Sequence, residues 1–506
     1  MPTFAAVDIG ANSVRLKIAK LANYRLSVLH QDREVTRLGE SVFRSGTLDP
    51  AAIALTVKVL SRFYKAVQTY GAQSVRVVAT SALRDASNAS AFTAWVHAAT
   101  GWRVETITGL EEGRLIHLGV ISSMRLPFGR MLLIDLGGGS CELTVSLHGQ
   151  IESIHSLPLG AVRLTRAFLQ HDPAKKRELQ QLKGFIGEEI GRVENELVAA
   201  RVQMTVATSG TASTLAAAWA AKSKKRTSSV PREGLADLTR RLGKMEVEER
   251  RALKGIGPRR AEIITAGATV YSELLNRLHL PEFRYSPLGL CDGILAQLAS
   301  DYDVSPGMRK RIESERENTL LRMGQQYHVD LNYATRVRQH AAKLFEELRA
   351  VHQLPEEYAD WLAAASMLQE IGSFINRTGR RRHTFYAIAH SEMFGYTVRQ
   401  RHIIAAITRY VGASRPLPES RPMRLLPPAA RALVPKAVGL LRLARALEQG
   451  RRGTVTGIRV RVESRRVVLL LTAKKKPGPD LELWALNNEK PYFRELFGRD
   501  LAAFAD

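Results

Sequence analysis

The chain has 506 residues, 45% hydrophobic and 24% charged, with 74 Lys and Arg against 49 Asp and Glu and a formal charge of +25. That composition excludes wholesale disorder, and the length exceeds what one core serves, so about three domains are expected. No apolar run reaches the roughly 18 residues of a bilayer span, and strand-like residues from Phe4 onward leave no room for a secretory leader. Two cysteines, Cys141 and Cys291, are too few for a disulfide framework or a four-ligand zinc site. A cytoplasmic protein with a polyanionic partner is expected, because such a basic field concentrates anions without choosing among them.

Residues 1–124 alternate strand-like runs (4–9, 14–19, 25–30, 75–79, 103–107) with helical patterns (50–70, 88–99, 110–121). Residues 125–305 repeat the scheme, with strands near 131–135, 142–147, 151–157 and 204–208 and helices near 176–200 and 259–277. These read as two α/β domains of one design. A linker is expected from Ser300 to Met308, where Asp301, Asp303, Pro306 and Gly307 cluster. Residues 310–506 read as a mostly helical third domain, with amphipathic patterns such as Leu331–Val351 and Pro355–Leu368. A small β segment at about 454–485 is expected to close it: Gly457–Val462, Val467–Leu471 and, after a basic turn at Lys474–Gly478, Leu481–Trp484.

One phrase occurs twice. Val7-Asp8-Ile9-Gly10-Ala11-Asn12-Ser13-Val14-Arg15 is matched by Ile134-Asp135-Leu136-Gly137-Gly138-Gly139-Ser140-Cys141-Glu142. An apolar run ends in Asp-x-Gly-x-x-Ser and alternation resumes, as in strand, tight turn, strand. Glycine permits positive φ and adds no side chain, so such a turn presents backbone N–H groups to an anion. Asn12, Ser13, Gly137, Gly138, Gly139 and Ser140 are therefore candidate phosphate ligands. Asp8 and Asp135 would sit at the edge of each cradle, placed to hold Mg²⁺ or orient a water. Duplicated domains with these hairpins facing each other would bury a phosphate compound between them.

Thr108 and Glu111 have capping-box spacing, which gives Glu111 a structural role. Glu112 has none, and a carboxylate in the first turn of that helix is placed to take a proton from an attacking water; the plainer reading is a surface Glu favoured by the helix dipole. Arg84, following the strand Val75–Val78, could grip phosphate in a fork. Thr208, Ser209, Gly210 and Thr211 suit a phosphate or a helix cap. Leu253–Ile264, with Gly255-Ile256-Gly257-Pro258-Arg259-Arg260, resembles a DNA-binding helix-hairpin-helix turn but occurs once and inside an α/β domain, so no specific nucleic-acid partner is assigned.

These motifs, in this order, resemble the exopolyphosphatase and guanosine pentaphosphate phosphohydrolase family. Asp8–Ser13, Ala79-Thr80-Ser81-Ala82-Leu83-Arg84, Gly109-Leu110-Glu111-Glu112-Gly113-Arg114, Ile134–Glu142, Leu159-Gly160-Ala161-Val162-Arg163 and Ser209-Gly210-Thr211 carry the resemblance. Ala11, Cys141 and Gly113 stand where Ser, Thr and Ala are common, and none removes a functional group. The resemblance implies two duplicated actin-like (RNase H-like) α/β domains, followed by a helical HD-like domain with a small C-terminal sheet. It implies Glu112 as the base, Asp135 and Glu142 at Mg²⁺ and the terminal phosphate, and Asp8 in the metal or water shell. It also implies Arg84 neutralising the transferred group, stimulation by a monovalent cation such as K⁺, and a homodimer. In the HD-like part, His340, His383 and His390 stand with Gln369-Glu370 where metal enzymes of that fold carry His-Asp, so no working metal centre is expected there. Arg377, Arg380, Arg381 and Arg382 would be left for polyanion. The implied reaction is removal of terminal phosphates from inorganic polyphosphate. Hydrolysis of guanosine pentaphosphate, a sugar kinase or Hsp70-like ATPase, and a catalytically inactive polyanion binder are the alternatives.

Overall fold

The computed structural model describes residues 2–505 apart from Tyr24, 124–128, 225–226, Arg259, 301–305, Ala413, Lys475 and Pro477. Much of the expected linker and part of the expected basic turn lie outside the described residues. The chain forms two compact units, residues 1–311 and 312–506.

The first unit holds two sheets. In one, β1 (Thr3–Ile9), β2 (Val14–Ala22), β3 (Arg25–Glu34), β4 (Ser74–Ala79) and β5 (Val104–Thr106) lie in the order β3-β2-β1-β4-β5. In the other, β6 (Arg130–Leu136), β7 (Cys141–Leu147), β8 (Gln150–Leu157), β9 (Met204–Thr208), β10 (Ser229–Pro231) and β11 (Glu282–Tyr285) lie in the order β10-β11-β9-β6-β7-β8. Each begins as an antiparallel meander and continues, beyond its first strand, with parallel neighbours: β4 and β5 beside β1, β9 and β11 beside β6. The repeated phrase thus marks a repeated sheet. β1 and β6 are central strands covered on both faces, which is why they read as unbroken apolar runs.

Two helices lie between the sheets. Gly109–Ser123 packs on β7 and β8, and Leu290–Ser300 packs on β1 and β2, so each sheet takes a helix from the other half of the unit's sequence. Their shared core joins Phe4, Ala6, Leu115, Leu133, Val206 and Ile294. The helices touch backbone to backbone, because a Cβ on Gly119 would fall 2.6 Å from the Gly289 carbonyl oxygen and one on Gly293 would collide with that of Leu115. Only glycine permits that approach.

Three expected elements differ. The helix expected over 176–200 breaks into Lys176–Gly191 and Glu194–Ala199, at the last of its three glycines, Gly184, Gly187 and Gly191, which are poor helix formers. The helix expected from 259 starts at Ile264, because Gly255 and Gly257 take positive φ and Pro258 follows them, and residues 260–263 form turns ahead of it.

The second unit packs helices Leu331–Glu347, Glu357–Leu368, Val398–Arg409 and Pro428–Ala446 around Val337, Leu344, Leu368, Ile404 and Val438. Its sheet is β12 (Val455–Val462), β13 (Arg466–Ala473) and β14 (Asp500–Ala505), with β14 parallel to β13. Leu481–Trp484, expected as a strand, opens the helix Asp480–Phe497. The alternation there is local. Buried Glu482, Ala485, Leu486, Tyr492 and Phe493 recur at helical spacing, and Asp480 and Glu482 suit a first turn.

Candidate active site

Both copies of the repeated phrase close the same hairpin. Gly10 N–H donates to the Ser13 carbonyl at 3.2 Å, and Gly137 N–H to that of Ser140 at 3.0 Å. Across the ladders Asp8 faces Arg15, and Asp135 faces Glu142. One equivalent position therefore holds a guanidinium in the first hairpin and a carboxylate in the second, so the duplication supplies one half-site suited to anions and one suited to a cation.

The two turns meet. A Cβ on Gly138 would stand 2.9 Å from that of Ala11, and the cleft they enclose is lined by Asp8, Asn12, Ser13, Glu112, Asp135 and Ser140 among others. Gly10, Gly137, Gly138 and Gly139 all lack positive φ. Close approach, rather than the left-handed backbone expected from sequence, is what glycine supplies at Gly138. Asn12 Nδ2 is buried without a hydrogen-bond partner among the described residues, a donor left for a ligand.

Glu112, Asp135 and Glu142 form the set of carboxylates whose oxygens lie within 4.8 Å of one another, all buried. Asp8 is buried beside them, outside that set. Burial raises the proton affinity of all four. Glu112 is pushed up to about 7 by burial, with Arg84 opposing and Asp135 and Asp8 adding. Asp135 is pushed up to about 6 by burial, with Arg15 opposing. Ser156 Oγ donates to Glu142 Oε1 at 2.8 Å, while Glu142 Oε2 is buried with no hydrogen-bond partner among the described residues. An orphaned carboxylate oxygen among two more carboxylates fits a hard divalent cation such as Mg²⁺.

Arg84 lies against this set. Its Nη1 donates to the Ile107 carbonyl at 2.7 Å and to Glu112 Oε2 at 3.0 Å, and its Nη2 to Ser140 Oγ at 3.3 Å. It thus touches both the candidate base and the phosphate turn. Thr108 Oγ1 accepts from Glu111 N–H at 3.2 Å, as its spacing predicted. In the second turn's flank, Arg163 Nε donates to the Gly139 carbonyl at 2.7 Å and its guanidinium pairs with Asp85.

Sequence reading passed over Arg15 and Arg260. Both line the cleft, and Arg260 comes from the segment that resembled a DNA-binding turn. It is buried against Gly210, and burial with Arg33 and Arg15 nearby holds it down at about 9. A buried guanidinium beside two others is held ready for an anion. The pairing of Arg15 with Asp8 in the hairpin register was the available signal. Ser209 takes φ +76, a backbone conformation rare outside glycine, and its hydroxyl hydrogen-bonds Asp135. A cavity of about 490 Å³ adjoins the cleft, walled by Arg15, Arg260, Leu16, Tyr285, Pro287 and Leu288.

In the second unit His340 Nε2 lies 3.3 Å from Glu448 Oε1, Arg336 Nε donates to the same carboxylate at 2.9 Å, and Glu370 pairs with Arg451. His390 packs on the Tyr386 ring. Arg377, Arg380 and Arg382 are exposed, whereas Arg381 is half-buried beside Gly412. No helix among the described residues is long and apolar enough to cross a membrane.

Two duplicated sheets meeting in a cleft of phosphate turns and buried carboxylates define an actin-like phosphate-handling protein. The comparisons narrow this. A profile described as the Ppx/GppA phosphatase family matches residues 17–301, and one described as Ppx/GppA phosphatase, domain III, matches 316–490. The chain is similar to Exopolyphosphatase 2 of Mycobacterium tuberculosis, 32% identical over 313 residues that cover 58% of this chain and 98% of the relative. It is 30% identical over 341 residues to Exopolyphosphatase 1 of Mycobacterium leprae, covering 66% of this chain and 97% of that one. The solved PPX-GPPA enzyme of Aquifex aeolicus is 31% identical with a TM-score of 0.51, over 58% of this chain and 98% of its own. An exopolyphosphatase from Cytophaga hutchinsonii, at 22% identity and a TM-score of 0.56 over 60% of this chain and 99% of its own, shares the fold. The chain belongs to the Ppx/GppA phosphatase family, and the protein is a phosphate-releasing hydrolase.

A candidate base that acts only when ionised gives a sign to the expected pH dependence. With Glu112 holding its proton up to about pH 7, kcat/KM is expected to rise as pH increases from 6 to 8, approaching tenfold per pH unit at the acid end. Steady-state phosphate release across that range checks this, and a flat profile would remove Glu112 as the base.

Proposed function

We propose that the protein is an exopolyphosphatase, which removes terminal phosphates from inorganic polyphosphate by attack of water. The observation that carries the reading is Glu112, buried and held by Arg84 at 3.0 Å, at the lip of the two phosphate turns. The names of the mycobacterial relatives support the polymer as substrate.

The backbone N–H groups of the Gly10–Ser13 and Gly137–Ser140 turns would hold the terminal phosphate, with Asn12 Nδ2 as a further donor. Arg84 would leave Glu112 in part to neutralise charge on the transferred group. Arg15 and Arg260 would hold phosphates behind it. The water oxygen forms the new P–O bond as the bridging P–O bond breaks, and Glu112 accepts a proton from that water. Asp135 and Glu142 would hold Mg²⁺, with Asp8 beyond them; when bound, the ion neutralises charge on phosphoryl oxygens. Glycine at 138 and 139 lets the second turn pack directly on Ala11, Phe43 and Ser81, which brings the two turns to the same phosphate.

A second reading, hydrolysis of the 5′ phosphate of guanosine pentaphosphate, is favoured by the adjoining cavity, where Tyr285, Pro287 and Leu288 supply apolar wall beside Arg15 and Arg260. Phosphate release with Mg²⁺ from long polyphosphate and from guanosine pentaphosphate, at matched terminal-phosphate concentration, separates the two. Preference for the polymer is expected. Preference for the nucleotide would move the assignment to the second reading, and release from neither would leave a polyanion binder.

A further inference from the structure

The first turn of the helix Gly109–Ser123 is gripped from behind by a buried polar cluster that the proposed reaction does not use. Arg114 is almost fully buried, 1% exposed. Its Nε and Nη2 donate to the two oxygens of Glu111 at 2.8 and 2.9 Å. The same Nη2 donates to Gln297 Oε1 at 3.0 Å, and Arg76 Nη1 donates to that oxygen at 2.7 Å. Arg76 is completed by Glu105 Oε2, at 3.1 Å from Nε and 3.0 Å from Nη2.

One neutral amide oxygen thus receives two guanidinium groups from different elements. Arg76 stands on β4, Arg114 on the helix that carries Glu112, and Gln297 on the helix Leu290–Ser300. Glycine contact at Gly293 and Gly119 holds those helices together further along, so Gln297 rides on a fixed platform. Glu111 and Glu112 are consecutive, and successive helical residues project about 100° apart. Fixing Glu111 on one side therefore fixes the direction in which Glu112 enters the cleft on the other. A fold that needed only a buried helix could place apolar residues here, since a satisfied buried ion-pair network is often no more stabilising than apolar packing. It does impose one orientation.

We propose that Gln297 is a positioning residue for Glu112, acting through Arg114 and Glu111. This rests on the reading of Glu112 as the base. Gln297→Leu removes the shared acceptor at similar size and leaves the two guanidinium groups joined only through Glu111, which Arg76 Nη2 approaches at 3.8 Å. The expected result is a kcat lower by about tenfold or more, from misplacement of the reacting carboxylate, with KM for polyphosphate within about twofold. Gln297→Glu keeps an acceptor for both arginines and should restore most of kcat.

A kcat for Gln297→Leu within twofold of the parent, a loss confined to KM, or equal losses in the Leu and Glu variants would overturn the proposal. If Gln297→Leu does not fold, as judged by thermal unfolding, Glu111→Gln carries the same kcat and KM readouts, with a smaller kcat loss expected and no loss overturning it. Glu112→Gln run alongside keeps the failures apart. Full activity in that variant defeats the reading of the base itself, whereas an inactive Glu112→Gln beside a fully active Gln297→Leu defeats only the positioning role.

Discussion

Glu112→Gln is expected to lower kcat by about 10²–10⁴-fold, the range associated with loss of a positioned general base, while substrate binding stays within a few-fold of the parent. Gln matches Glu in size, so the helix Gly109–Ser123 and its contacts survive; what is lost is the oxygen that can accept a proton. Arg84 sits 3.0 Å from Glu112 Oε2. Once the carboxylate is neutral, that guanidinium is held less firmly and becomes more available to phosphate, which is why binding should not fall with rate. Phosphate release together with equilibrium binding of polyphosphate in the same variant tests both halves. Full activity would sink the mechanism, and loss of binding in proportion to rate would recast Glu112 as part of the substrate site.

The legible part of the fold came from period and repetition. β1 and β6 are buried central strands with unbroken apolar runs, and the Asp-x-Gly-x-x-Ser phrase identifies the turn after each. Asp8, Glu112 and Asp135 stood out as candidates because each closes or opens an element at a strand-to-turn or strand-to-helix junction, whereas Glu142 was a candidate only through the family resemblance. Other residues depend on pairings that are remote in sequence. Arg260 reaches the cleft from a turn 125 positions beyond Asp135, and nothing local to Gly255–Arg260 distinguishes a cleft wall from a surface hairpin. Gln297 is a polar residue in a mostly apolar helix buried between the sheets, and its partners Arg76 and Arg114 are remote in sequence. Leu481–Trp484 failed for a different reason. Four residues alternating by chance outweighed a helical period that needs the following ten residues to be seen, and β14 followed too short a cue to be counted.

Asp135→Asn is expected to separate stability from activity. Asp135 ordinarily loses its proton near 3.8, and in the folded protein burial keeps it to about 6. The unfolded chain therefore releases this proton first, so metal-free stability falls as pH rises through that window and stays lower above it. A tenfold change in proton affinity corresponds to about 1.4 kcal/mol, and Glu112 and Glu142 are displaced in the same direction. At pH 8 the metal-free protein thus holds several buried carboxylates against their preference. Asn fills the same space without that charge and can still accept from Ser209, so metal-free Asp135→Asn should unfold at a higher temperature than the parent at pH 8 and by a smaller margin at pH 5, where the parent still keeps part of that stability. Mg²⁺ should close most of that gap: a ligand present at 100 times its Kd stabilises the folded protein by about 2.7 kcal/mol, and the variant, lacking one of the carboxylates proposed to hold the ion, should show little of that gain. Its phosphate release should fall by about 10³-fold, comparable to loss of a major electrostatic contribution to the transition state. Thermal unfolding with and without Mg²⁺ at the two pH values, with rates measured on the same samples, checks every step. An undiminished Mg²⁺-dependent rise in the variant would take Asp135 out of the cation site, and an unchanged metal-free unfolding temperature at pH 8 would mean that the carboxylate cluster is relieved by some other charge.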